Sequence, residues 1–186
     1  MTKPPLPRPL TGSARSRLHQ MLRVDHAGEL GAVHIYRGQR AVFGEARTTQ
    51  GFATALEEME GHEAVHLKAF EDILADREVR PTLLAPVWRA AGFALGAGTA
   101  LLGESAAHAC TEAVETVIES HYAEQIEELR DEDPALAETL RTFRADELAH
   151  RDLAVDGGAR DAPAYPLLTA VIRAGCRAAI RMAEKI

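Results

Sequence analysis

The chain has 186 residues, 46% of them apolar and 26% charged, with a formal net charge of −7 at neutral pH. That length suits a single domain with a substantial core, and the acidic balance argues against nucleic acid as a partner. Two isolated cysteines, Cys110 and Cys176, make neither a thiolate metal site nor a disulfide framework. No stretch alternates as a strand would, and Ala, Leu and Glu are abundant, so the expected class is all-α.

Residues 1–17 are basic, free of acids and proline-rich, with four prolines within positions 4–9. Such spacing breaks both an apolar signal core and an amphipathic transit helix. The segment is expected to be a disordered tail before one domain over residues 18–186, on a bacterial-type protein at the cytoplasmic side of the inner membrane. A short mitochondrial presequence is the weaker reading.

Four amphipathic helices are then expected. In the first, Leu18, Leu22, Glu29, Val33 and Tyr36 share a face, and Gly28 and Gly31 beside Glu29 lower helix propensity in favour of close approach by a helix or ligand. A turn over Gly44–Gly51 leads to a second stripe, Phe52, Leu56, Met59, Glu63, His66, Phe70 and Ile73. The third carries His108, Thr111, Glu115, Ile118, Tyr122, Ile126 and Leu129 on one face. Asp133-Pro134 reads as an N-cap followed by proline at the first helical position of the fourth, whose stripe is Leu136, Leu140, Phe143, Glu147, His150 and Ala154.

Two further segments are apolar. Between the second and third helices a long connection runs from about residue 77 to 104, and in its stretch Pro81–Gly103 the only charge is Arg89. The uncharged run Ala90–Gly103 is 14 residues, short of the ~20 a bilayer span needs. Pro81, Pro86 and four glycines break it further, yet it is too apolar to lie bare in water. Trp88 and Arg89 suit a headgroup boundary, so the segment is expected at a membrane surface, with a buried crossover as the alternative. At the C-terminus, residues 163–186 place Arg173, Arg177 and Arg181 at steps of four beside apolar positions. That pattern fits an amphipathic interfacial helix, or else a fifth helix capping the bundle.

The most specific pattern is a duplication. Glu63-Ala-Val-His66 and Glu147-Leu-Ala-His150 follow Glu29 and Glu115 by 63 − 29 = 34 and 147 − 115 = 32 residues, and the two halves are offset by 115 − 29 = 86 and 147 − 63 = 84. Two helical hairpins, each giving one Glu and one Glu-x-x-His, match the ligand arithmetic of ferritin-like carboxylate bundles. A single Glu-x-x-His in an acidic chain is ordinarily a solvated face; two at matched offsets on apolar stripes are not. Four buried carboxylates need positive charge among them. Two divalent cations supply it and leave a neutral cluster. Oxygen-rich ligation with one imidazole per ion suits iron or manganese better than zinc, and iron best serves oxygen chemistry. Beyond the six ligands Glu29, Glu63, His66, Glu115, Glu147 and His150, Asp146 and Asp25 are candidates to orient the imidazoles. Tyr122, two turns from Glu115 on the ligand face, is a candidate shuttle of protons or electrons, with His121 beside it; the alternative is a core tyrosine and a surface histidine.

In RVDHAGELGAVHIYRGQ (23–39), EAVHLKAF (63–70), RPTLLAPVWRAAGFALGAGTALLG (80–103), AVETVIESHYAEQI (113–126), FRADELAHRD (143–152) and APAYPLLTAVIRAGCRAAI (162–180) the chain resembles the Coq7 family of demethoxyubiquinone hydroxylases, also called 3-demethoxyubiquinol 5-hydroxylases. All six family ligand positions match, whereas Leu30 replaces an expected aromatic residue and the first interhelical loop is longer. The resemblance implies a ferritin-like four-helix bundle with a long apolar crossover and an extra amphipathic C-terminal helix. It further implies two iron ions, with Glu63 and Glu147 bridging them, Glu29 and Glu115 terminal and one histidine on each. The implied activity is O₂-dependent monooxygenation of a polyprenylated benzoquinol held in the bilayer, with an external two-electron donor. A homo-oligomer or a lipid-binding protein that presents the substrate are the implied further partners. Two other classes fit the ligands alone: a soluble ferroxidase or peroxidase, and a non-catalytic helical scaffold at the membrane.

Overall fold

The computed structural model describes residues 12–43 and 50–185. Those residues form helices α1 (Gly12–Phe43), α2 (Gln50–Asp76), α3 (Ala85–Leu101), α4 (Glu104–Leu129), α5 (Pro134–Asp156) and α6 (Tyr165–Ala183). A single 3-10 turn lies at Ala159–Asp161, and no strand occurs among the described residues. The proline-rich start, residues 1–11, lies outside the described residues. The expected tail is nevertheless too long, because the chain is helical from Gly12. The last proline of the run is Pro9, and Arg17 gives the first turns partners, pairing with Glu128 of α4 at 2.9 Å and with Glu184 beyond α6 at 3.4 Å.

The amphipathic stripes set the bundle. Leu18, Leu22, Glu29, Val33 and Tyr36 of α1 are buried, as are Phe52, Leu56, Met59, Glu63, His66 and Phe70 of α2 and every expected stripe position of α5. Ile73 and Ile118 alone sit at the edge, half-buried. Most of the expected turn, residues 44–49, falls outside the described residues, while Gly51 is already inside α2. Asp133 caps α5 as its sequence implies, its carboxylate accepting from Leu136 N at 3.1 Å with Pro134 next in line. Leu18, Leu22, Phe70, Leu140 and Phe143 fill one end of the bundle and Tyr36, Phe43, Phe52, Leu56 and Met59 the other. The six ligand candidates occupy the layer between these two apolar clusters.

The crossover is where structure and expectation part. It is a helix over Ala85–Leu101, laid along α1, and the glycines taken as breaks are what permit the approach. A Cβ on Gly92 would lie 2.5 Å from Gly31 O, and one on Gly96 2.7 Å from the Ile35 carbonyl carbon. Gly38 of α1 reciprocates, with the Ala97 N 2.7 Å from where its Cβ would be. Backbone thus rests on backbone, contact a side chain at any of the three would prevent. Gly103, at φ +115°, makes the turn from α3 into α4, a conformation that L side chains rarely adopt. No helix of the described residues is long and apolar enough to cross a membrane.

The C-terminal helix forms as expected but is not a free amphipathic rod. Thr169, Ile172 and Ala183 are buried. Arg173, expected in a solvent or lipid-facing stripe, turns inward to lie 3.5 Å from Glu112 of α4, leaving Arg177 and Arg181 exposed. Tyr165 donates its hydroxyl to the same Glu112, within 2.7 Å of both oxygens, and so pins the start of α6 to α4.

Candidate metal centre

All six expected ligands converge and are buried, Glu29 at 1%, Glu63 and Glu147 at 0%, Glu115 at 1%, His66 at 2% and His150 at 4% exposure. They fall into two groups able to hold a metal ion: Glu29, Glu63, His66 and Glu147, and Glu63, Glu115, Glu147 and His150. Glu63 and Glu147 belong to both. Each imidazole turns its Nδ1 inward; His66 Nδ1 is 3.3 Å from Glu147 and 3.6 Å from Glu29, and His150 Nδ1 is 3.1 Å from Glu63 and 3.7 Å from Glu147.

The donor set fits a pair of cations. Eight inward atoms lack any hydrogen-bond partner: Glu29 Oε2, both oxygens of Glu63 and of Glu147, Glu115 Oε2, and Nδ1 of His66 and of His150. An unpaired buried polar atom is costly, and so many converging carboxylate oxygens are tolerable only when protons or metal ions lie among them. Without metal, burial first and Glu147 second push the Glu63 carboxyl well above its ordinary range. Burial and then the same neighbour push Glu115 up. Burial resists the charged form of Glu147, yet the inward-turned rings of His150 and His66, 3.7 and 3.3 Å from its oxygens, hold it down to about 2. For His66 burial opposes the imidazolium, but Glu147 and Glu29 outweigh it and raise the ring to about 10. The cluster therefore holds protons where cations would otherwise sit.

Around the ligands the internal duplication continues. Tyr122 donates its hydroxyl to Glu29 Oε1, and Tyr36 donates to Glu115 Oε1 at 2.6 Å, so each lone glutamate is held by a tyrosine from the other hairpin. Tyr36 was visible in sequence only as a core residue, although 122 − 36 = 86 repeats the offset of the two glutamates. Asp146 orients His66, with Oδ2 3.0 Å from Nε2, and His62, whose one sequence signal is its 84-residue offset from Asp146, meets His150 Nε2 at 3.1 Å. Asp25 does not reach a ligating imidazole. It accepts from Gln125 Nε2 at 2.8 Å and lies 3.6 Å from His121 Nε2. His121 therefore stands at the edge of the site, touching Asp25 and Gln125 and none of the six ligands.

A groove of about 420 Å³ lies between α1, α3, α4 and α6, and none of the six candidate ligands lines it. Gly28 and Gly31 flank Glu29 on its floor, Val114 adjoins Glu115, and Trp88, Leu95, Ile172 and Cys176 form walls; no charged residue lines it. Near its rim Val87 and Phe93 of α3 and Val171 and Met182 of α6 are exposed.

The family described as ubiquinone biosynthesis protein COQ7 matches residues 16–183. A Rhodospirillum rubrum protein named 3-demethoxyubiquinol 3-hydroxylase is 50% identical over 94% of this chain and 81% of its own length. A human protein named NADPH-dependent 3-demethoxyubiquinone 3-hydroxylase, mitochondrial, is 46% identical over 95% and 82%. A Saccharomyces cerevisiae protein named 5-demethoxyubiquinone hydroxylase, mitochondrial, is 40% identical over 95% and 82%. With the family match spanning residues 16–183 and relatives up to 50% identical over nearly all of its length, the chain belongs to the COQ7 family of ubiquinone biosynthesis proteins.

Proposed function

We propose that the protein is a demethoxyubiquinol hydroxylase of ubiquinone biosynthesis, which uses two iron ions and O₂ to insert one oxygen atom into a ring C–H bond of a polyprenylated methoxy-benzoquinol. The observation that carries this reading over a soluble ferroxidase or a scaffold is the uncharged groove, whose floor is the α1 turn bearing Glu29. An apolar ring and isoprenoid tail fit such a groove, whereas a hydrated metal ion gains nothing from it. The stoichiometry is R–H + O₂ + 2 electrons + 2 protons giving R–OH + H₂O. The names of mammalian relatives carry NADPH, and we assign the electron pair here to a reduced nicotinamide.

Glu63 and Glu147 would bridge the two ions, with Glu29 and His66 on one and Glu115 and His150 on the other, in keeping with the two overlapping groups. Iron held there supplies reductive activation of O₂. The chain's own contributions are positional. Tyr36 and Tyr122 hold the terminal carboxylates by hydrogen bonds and so would fix their orientation. The apolar walls would hold the ring and tail and keep water from them. Tyr122, hydrogen-bonded to Glu29, would be the group that passes a proton inward. We place the protein peripherally on a membrane, with the exposed apolar residues of α3 and α6, including Leu101 and Leu167, and Leu102 just beyond α3, against lipid so that the tail enters from the bilayer.

Anaerobic reconstitution with Fe(II), followed by O₂, reductant and a short-tailed demethoxyquinol, should give the ring-hydroxylated product by mass spectrometry. Glu115→Ala should abolish it and lower bound iron. Full iron loading with oxidation of Fe(II) but no quinol consumption would instead favour the ferroxidase reading.

A further inference from the structure

The two histidine ligands are braced across the bundle by the residue that precedes the glutamate of the opposite Glu-x-x-His. His62, just before Glu63 on α2, reaches His150 of α5; Asp146, just before Glu147 on α5, reaches His66 of α2. The positions are equivalent by the internal repeat, 146 − 62 = 84 matching 147 − 63 = 84, but the side chains are not. One brace is a carboxylate and the other a neutral ring.

The His62 contact is an in-line hydrogen bond, not a face-to-face stack. The rings lie within 15° of parallel, and their 5.4 Å centroid separation exceeds the 3.1 Å N···N distance by only about two ring radii, so they are nearly coplanar. With His150 Nδ1 turned to the carboxylates, its Nε2–H donates to His62 Nδ1. On the other side His66 Nε2–H donates to Asp146 at 3.0 Å while its ring stacks on Phe143, with centroids 4.0 Å apart. A carboxylate acceptor pulls the N–H proton harder than a neutral nitrogen does, and makes the imidazole the stronger metal donor.

We propose that His62 is a positioning residue for His150, and that the anionic brace on His66 opposite the neutral brace on His150 makes the two metal positions unequal. The position that includes Glu29 and His66 fills first and holds its ion more tightly. This rests on the two-metal reading above.

The test is an anaerobic titration of the full metal-free chain with Co(II), followed by visible d–d absorption, for the wild type and the His62→Ala, His62→Gln and Asp146→Ala variants, with melting curves of each apo protein. Uptake should occur in two steps. Loss of such an outer partner commonly weakens metal binding roughly 10–100-fold. His62→Ala should therefore weaken the second step by about that factor and spare the first, and His62→Gln, whose amide oxygen accepts from Nε2–H, should restore it. Asp146→Ala should weaken the first step and bring the two together. Two identical steps in the wild type overturn the inequality. Unchanged second-step affinity in His62→Ala overturns the positioning role, as does equal weakening of both steps accompanied by a lowered apo melting temperature. A wild-type chain that takes up no Co(II) would instead overturn the metal reading itself.

Discussion

Gly96→Ala and Gly98→Ala make the same chemical change two residues apart in α3 and should move stability in opposite directions. Both exchange glycine for the best helix former, a gain of about 1 kcal/mol per site. At Gly98 a Cβ meets nothing within 4 Å, so the gain is kept. At Gly96 it would lie 2.7 Å from the Ile35 carbonyl carbon, 2.9 Å from its Cα, and nearer still to its oxygen. All three are backbone atoms of α1, which cannot rotate aside. Ordinary contact begins at 3.4 Å, so α3 must withdraw from α1 by at least 3.4 − 2.7 = 0.7 Å. Overpacking of this kind costs roughly 1–3 kcal/mol. For a domain of this size each kcal/mol moves the melting temperature by about 2–4 °C. Thermal melts of the two variants in the same metal state should therefore separate by roughly 2–12 °C, Gly98→Ala above the parent and Gly96→Ala level with it or below. If Gly96→Ala melts as high as Gly98→Ala, the backbone-on-backbone seating of α3 is refuted.

Tyr165→Phe removes a hydroxyl held 2.7 Å from both oxygens of Glu112, and since the tyrosine is half-exposed the loss should be about 1 kcal/mol, visible as a small drop in urea midpoint. Gly175→Phe, where a Cβ meets nothing within 4 Å but faces the groove, should raise KM for a long-tailed quinol while bound metal per chain stays unchanged. The metal-free protein should lose stability as pH rises. Glu63 and Glu115 have raised carboxyls, so above about pH 4.5 the native state holds protons the unfolded chain has released. His66, raised from 6.5 to about 10, adds stability that is complete below 6.5 and lost through about 10. Glu147 works the other way, but only as pH falls from 4.5 toward about 2. Calorimetry of apo protein from pH 5 to 9 should show a falling melting temperature that added metal reverses; a rising one would show that the cluster is not protonated as described.

The apolar stripes and the 86- and 84-residue offsets were legible because helical period and ligand spacing are local properties of a chain. They singled out six candidate ligands, and the buried layer brings all six together. Tyr36 and His62 were less legible, since a tyrosine on an apolar stripe and a histidine on an exposed turn look alike whether or not a partner lies across the bundle. The repeat offset was the one available signal, and it applies to both.

The sequence by itself determined an all-helical bundle with a duplicated carboxylate–histidine set, because periodicity fixes which residues face inward and burying four carboxylates together requires compensating charge. Only the tertiary structure decided what the apolar crossover is. Its glycines read as breaks along the chain, yet against α1 they let two backbones touch and complete α3 as one wall of the groove. The same holds for Arg173, whose place in a cationic stripe gave way to Glu112 on α4. Helix propensity is summed along one segment, but packing and charge pairing depend on which segments meet.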